Sequence, residues 1–450
     1  MIDIYDIHPL KFYLLSVRNR RLFDFSTSEH ILEEDVENAF NRLKRIEGGN
    51  IYAVYQYEEC ILPVMNELAD KYKAQYPQVQ QLPTYFKQCK KGEYIIRQSI
   101  FVPLFDLKSS IVKVFALEHG FDTHKAHEVF TANWARLSLY FDAYSYGFLP
   151  QKKEYIGEKD KAKRICRFCM KSGITRFKND SHAIQEGLGN HLLIANEECD
   201  ECNTFFSNSV ESHLFRFLEI NRTLSQVRGK GKSRYNLEGL NFHIHPDTVT
   251  GLPTVYVKQE YIENELYNGQ PTGRILLYNN GPITYQGIYK ALVKIAVDMI
   301  PQDKIVHFVK TGKWVHGDFE AENLPSFWYG EHSFFFEQPV LDLFFQKDNT
   351  HNNTPYCTAV LYIYESVFIY VVPLNEIDDD KNLTKEKLLS HLDLFKKYEY
   401  LYVKEWAEYD SNDTKEYAAH YKINLLGLEG KYHVKYCSSD DPIFEIRRNK

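Results

Sequence analysis

Along the first part of the chain, apolar positions recur with helical spacing. Over residues 34–46, Val36, Ala39, Phe40, Leu43 and Ile46 follow the i, i+3, i+4, i+7 pattern of one helix face. A second such stretch runs from 62 to about 76, just before Pro77, and a third covers about 124–144, with Val129, Phe130, Trp134, Leu137 and Phe141 in phase. The pattern predicts a mainly helical domain over 1–150. His124 and His127 lie one turn apart in the third helix, but no carboxylate–histidine motif surrounds them, so they read as surface or packing residues.

After residue 150 the pattern changes. Residues 151–164 are charged and lack an apolar period, which marks a boundary or linker. Beyond 236 the chain becomes mixed. Residues 241–245 alternate, 254–257 are β-prone, and 274–278 read as a strand ending in a turn at Asn279-Asn280-Gly281. Thr284 is placed to cap a helix whose apolar face is Tyr285, Ile288, Tyr289, Leu292, Ile295, Ala296 and Met299, stopped by Pro301. Residues 359–364 and 367–372 flank Glu365-Ser366 and read as a hairpin of aromatic-rich strands. The expectation for 237–450 is an α+β domain. His243 and His245 share one face of their strand, but no third ligand accompanies them, and they read as ordinary exposed positions.

Composition narrows the class. At 44% hydrophobic and 26% charged residues, with only 16 Pro and 22 Gly, the chain is neither disordered nor fibrous. No apolar run approaches the roughly 18 residues that cross a bilayer, and Met1-Ile2-Asp3-Ile4-Tyr5-Asp6 is unlike a secretory leader, so no membrane association and a cytoplasmic setting are expected. The formal charge of −7 argues against a general polyanion binder, yet residues 151–236 carry 16 Lys and Arg against 11 Asp and Glu. Within that basic middle, the glycine-containing run 226–236 holds Arg228, Lys230, Lys232 and Arg234. These read either as a solvated loop or as a clamp on a DNA phosphate backbone.

The cysteines carry the sharpest signal. Cys60, Cys89, Cys357 and Cys437 are scattered, whereas Cys166 and Cys169 form one C-x2-C pair and Cys199 and Cys202 another, 29 residues apart. Two such pairs point to a tetrahedral zinc site rather than to disulfides. Between them lie Ser181-His182-Ala183-Ile184 and Leu188-Gly189-Asn190; Asn196 precedes Cys199 by three residues, and Asn203 directly follows Cys202.

This order resembles the HNH endonucleases, over about residues 164–218. The resemblance implies a zinc-stapled ββα-metal core over 164–225, which would make the whole an α+β multidomain chain with that core at its centre. It also implies roles. His182 would be the general base that activates water; Asn196 would order the loop between strand and helix and orient the histidine; Asn203 would ligate a catalytic Mg2+ or Mn2+. Zinc on Cys166, Cys169, Cys199 and Cys202 would be structural. The residue before the histidine is usually acidic in the family and is Ser181 here, while the usual proline is Gln185. Asp180, Ser181 and Glu186 are therefore the candidates for a further cation ligand. Residues 198 to about 217 read as one helix, and Glu211 and His213, on that same helix beyond Asn203, read as packing or phosphate contacts.

The implied activity is hydrolysis of DNA phosphodiesters. Large flanks around a small core suggest regulated cutting, as in restriction or anti-phage defence. Two alternatives stand beside it: a catalytically silent zinc module that binds nucleic acid or protein, and a nuclease subunit active only with partner proteins or after self-association.

Overall fold

The computed structural model describes residues 11–16, 20–25, 30–48, 52–98, 104–148, 153–227, 236–246, 253–258, 262–267, 270–347, 354–378, 383–398, 403–424, 432–437 and 443–448. It is a mixed α+β structure with ten α-helices and several sheets among these residues.

Two long antiparallel strands, Phe327–Gln346 and Cys357–Val371, form the spine. Along the second strand, Cys357, Ala359, Leu361 and Ile363 face one core, while Val360 and Tyr362 face another. After Tyr364 the phase inverts: Phe368, Tyr370 and Val372 join the first core, and Val367, Ile369 and Val371 the second. Tyr364 takes φ 56°, and the ladder register shifts beside it. A bulge there inserts one residue and keeps each face apolar on both sides of the kink. The hairpin expected at Glu365-Ser366 is therefore one continuous strand. Glu-Ser does not supply the paired positive-φ residues of a tight hairpin turn, and Ser366 is buried opposite Glu331. Asn279-Asn280-Gly281 behaves similarly. Strand Gln270–Ile283 runs through it with a bulge between Tyr278 and Pro282, while the Asn279 amide donates to Arg216 O and Glu219 Oε2.

Against one face of the spine lies helix Tyr285–Met299, capped by Thr284 Oγ1 accepting from Gly287 N as its sequence suggests. Tyr289 donates its hydroxyl to Val371 O and Tyr370 donates to Leu292 O, which locks helix to sheet. On the other face pack helices Leu104–Glu118, Thr123–Tyr140 and Lys385–Tyr398.

The amino-terminal region is mainly helical among the described residues, but it also carries a sheet that the pattern did not predict. Helices His30–Phe40, Ile61–Tyr72 and Thr123–Tyr140 occupy the expected stretches, but the first ends before Ile46, which lies in a strand. A five-stranded antiparallel sheet contains Lys11–Leu15, Arg20–Asp24, Lys44–Gly48, Tyr52–Gln56 and Tyr94–Gln98. Each strand has only five residues, too short for alternation to compete with helical periodicity in a reading by pattern. The third helix also stops at Tyr140, and Phe141–Tyr146 becomes a strand paired with Phe327–Gln346. The buried Lys108–Asp342 ion pair adds a second tie between these regions. His124 is exposed and His127 Nδ1 meets Ser109 Oγ at 2.6 Å, which fits surface and packing roles.

Candidate metal centre and the histidine beside it

The four paired cysteines converge. Their sulfurs all lie within 4.8 Å of one another, with Cys166–Cys202 and Cys169–Cys199 at 3.7 Å. Four thiolates bound tetrahedrally to one zinc at about 2.3 Å would stand about 3.8 Å apart, so the cluster could hold a metal such as zinc. Local backbone builds this spacing. Met170 N donates to Cys166 O and Cys166 N to Lys171 O, with Met170 at φ 58°, folding the first pair into a knuckle. The second pair starts helix Asp200–Asn208, with Cys199 as its N-cap residue, where the helix dipole favours a thiolate. Hydrogen bonding from Cys166 and Cys202 lowers the Cys199 pKa, and the same contacts raise those of its two neighbours. Sulfurs this close do not ionise independently; a divalent cation would relieve their competition.

His182 stands on the two-residue strand Ser181–His182, which pairs antiparallel with Leu193–Ala195. Asn190 shapes the connection. Its Nδ2 donates to Ile184 O and Leu193 O, and its Oδ1 accepts from Leu192 N and Leu193 N. Asn190 thus orders the turn between the two strands, while Asn196, in the loop between the second strand and the helix, is buried with Nδ2 lacking a partner among the described residues. A third strand, Glu154–Ile156, runs parallel to Leu193–Ala195, so part of the charged 151–164 segment is structural rather than linker.

The His182 imidazole is half-buried, and its Nδ1 is enclosed with no hydrogen-bond partner among the described residues. Burial lowers its pKa from the ordinary histidine value, outweighing the opposing carboxylates of Glu186 and Asp180. The ring is thus biased toward the neutral form. Asp180 is exposed and paired with Lys153 at 2.9 Å, which lowers its own pKa. Glu186 is half-buried, 3.8 Å from His191 Nδ1. Ser181 points inward, donating its hydroxyl to Glu198 O. Asn203 is half-buried in the first turn of helix Asp200–Asn208. That helix breaks at Ser209 and restarts as Val210–Leu224, where the sequence suggested one continuous helix. Apart from the cysteines, no group of three or more His, Cys, Asp or Glu gathers to hold a metal among the described residues. Arg228, Lys230, Lys232 and Arg234 lie outside the described residues.

Two buried charge networks fasten this region to helix Tyr285–Met299. The Arg167 guanidinium pairs with Glu197 at 2.9 Å and donates to the carbonyls of Val297, Asp298 and Ile300, satisfying acceptors at the helix end. Lys294, fully buried, lies 2.8 Å from Glu198, 2.8 Å from Glu211 and 3.0 Å from Asp298. Burial raises the pKa values of Glu198 and Asp298; burial also disfavours the Lys294 charge, but its three carboxylate neighbours outweigh that and raise its pKa. His213 accepts a hydrogen bond from Thr284 N at Nδ1, at the other end of the same helix. Glu211 and His213 are thus packing residues. Gly312 of helix Val309–His316 also lies against the first cysteine pair, where a Cβ would stand 2.2 Å from Arg167 O.

Sequence reasoning missed Arg167, Glu197, Lys294 and Asp298. The signal available was Lys294 and Asp298 at i, i+4 inside an otherwise apolar stretch, together with Glu197-Glu198 next to a metal ligand. Three comparisons with known proteins bear on this site: no protein-family model, no curated protein and no solved structure matches the chain.

Proposed function

We propose that the chain is a metal-dependent endonuclease of the HNH type that hydrolyses phosphodiester bonds in DNA, with zinc as a structural ion on the four cysteines. The observation that carries the reading is the half-buried His182 imidazole on a hairpin whose second strand leads into the Cys199–Cys202 pair. Depressed basicity keeps this ring neutral near pH 7, the state in which it takes a proton from water. Asn203, next to Cys202, and either Glu186 or Asp180 would hold a magnesium or manganese ion. Such an ion accepts few protein ligands and takes the rest from water and substrate phosphate, and it would supply charge neutralisation at the phosphorus. Glu186 is favoured, because Asp180 is engaged by Lys153.

A silent zinc module is the second reading. It is favoured by Ser181, whose hydroxyl is turned to Glu198 O at the position where the family places an acid. Plasmid incubated with magnesium or manganese and the purified chain separates the two. Nicking by the wild type that falls about 100-fold or more in His182→Ala, with zinc content unchanged, supports the nuclease. Absence of nicking by the wild type, with or without candidate partner proteins, supports the silent module.

A further inference from the structure

The sheet that carries His182 has three strands, with Leu193–Ala195 in the middle, Glu154–Ile156 on one side and Ser181–His182 on the other. Register aligns Tyr155 with Ile194 and Ile194 with His182, so these three side chains share one face. The other face is core, where Ile156, Leu193 and Ala195 pack with Ala183. Tyr155 is exposed and His182 half-buried, which makes theirs the outer face.

Two residues before Tyr155 stands Lys153, and two before His182 stands Asp180, so both belong to that outer face. Glu154, at the alternate position, belongs to the other. Lys153 Nζ donates to Asp180 Oδ2 at 2.9 Å, so the lysine side chain spans the middle strand on the His182 side. The outer strands of such a sheet stand about 10 Å apart, a gap that only a long side chain bridges. An ammonium has three N–H donors. Asp180 takes one, and Lys153 makes no other hydrogen bond among the described residues, at 47% side-chain exposure. The remaining donors are open to an incoming acceptor.

We infer that Lys153, held by Asp180, is a phosphate ligand beside His182, its ammonium contacting a non-bridging oxygen of the phosphodiester on which the imidazole acts. The inference rests on the nuclease reading and names a substrate contact outside the stretch 164–218. Lysine meets phosphate as a compact point charge. Negative charge on the phosphoryl oxygens is what a fixed cation stabilises as a nucleophile adds. The charged and titratable groups acting on the ring are Glu186, Lys153, His191 and Asp180. Asp180 and Glu186 alone would repel a phosphate; Lys153, with a divalent ion on Glu186, turns the balance positive. The bond to Asp180 also raises the Lys153 pKa, which keeps the ammonium charged. Asp180 is then a positioning residue for Lys153 rather than a cation ligand.

Binding and turnover test this separately. Fluorescence anisotropy of a labelled DNA duplex with the full chain carrying His182→Ala, in magnesium, gives affinity as a function of salt. Lys153→Met and Lys153→Gln, at a half-exposed position, should each lower the slope of log K against log salt by about one, and Lys153→Arg should keep it. In plasmid nicking with His182 intact, Lys153→Met should lower kcat about tenfold or more. Asp180→Asn should lower kcat without raising the magnesium concentration that gives half the maximal rate. An unchanged salt slope in the folded Lys153 variants, no duplex binding by the parent, or an effect on KM alone would overturn the contact. A raised magnesium requirement in Asp180→Asn would make Asp180 a cation ligand and overturn its role as the anchor. A chain that never nicks plasmid but loses the unit of salt slope keeps Lys153 as a phosphate ligand and removes the nuclease.

Discussion

Lys294 Nζ lies 2.8 Å from one carboxylate oxygen of Glu211, and the other oxygen of Glu211 accepts a hydrogen bond from Gln185 at 3.0 Å. Gln185 is three residues from His182, and Glu198, a second neighbour of Lys294, accepts the Ser181 hydroxyl at its carbonyl. One ammonium from helix Tyr285–Met299 thus reaches both flanks of the histidine-bearing segment. Three carboxylates around one ammonium in a fully buried site hold together only while that ammonium is present.

Lys294→Met should therefore cost about 3–5 kcal/mol of stability, since it strands buried carboxylates without a counter-charge. Urea denaturation followed by circular dichroism measures it. Adding Glu198→Gln and Asp298→Asn should recover part of the loss; an unchanged midpoint in Lys294→Met would show that the network contributes nothing.

Metal removal should reach beyond the knuckle. Cys166, Cys199 and Cys202 belong to the same continuous core as Leu292, Ala296, Trp314 and Leu361, so the cysteine cluster is no separate bead on a linker. One zinc per chain is expected by elemental analysis. Cys199→Ser should lose it and, in hydrogen exchange, deprotect helix Tyr285–Met299 along with the knuckle. Retained protection of that helix in the metal-free variant would contradict the coupling.

Gly312 gives a third test. A methyl group 2.2 Å from Arg167 O forces helix Val309–His316 away from the knuckle, because the obstacle is backbone and cannot rotate aside. Gly312→Ala should lower stability by about 1–3 kcal/mol, as overpacking does, with a matching fall in melting temperature. A melting temperature equal to the wild type would show that the helix has room to shift.

Which of these features the sequence disclosed follows from how each is encoded. The cysteine pairs were legible because metal geometry demands short, fixed spacing along the chain. The capped helix from Thr284 was legible because its cap and its apolar period agree. Long-range partners leave no such trace: nothing local in Arg167 announces that it receives the carbonyls of Val297 and Ile300. The phase inversion at Tyr364 was hidden because a strand buried on both faces reads as an unbroken apolar run, which a turn could equally interrupt.

The pH dependence of cutting tests the role given to His182. Burial lowers its pKa below the ordinary imidazole value of about 6.5, so the base form is already dominant at pH 7 and is lost only as pH falls below that value. A divalent cation bound beside the ring would push the pKa in the same direction. The acid limb of log kcat/KM should therefore fall with unit slope from a midpoint below 6.5. An acid limb centred above 6.5 would assign the proton transfer to another group.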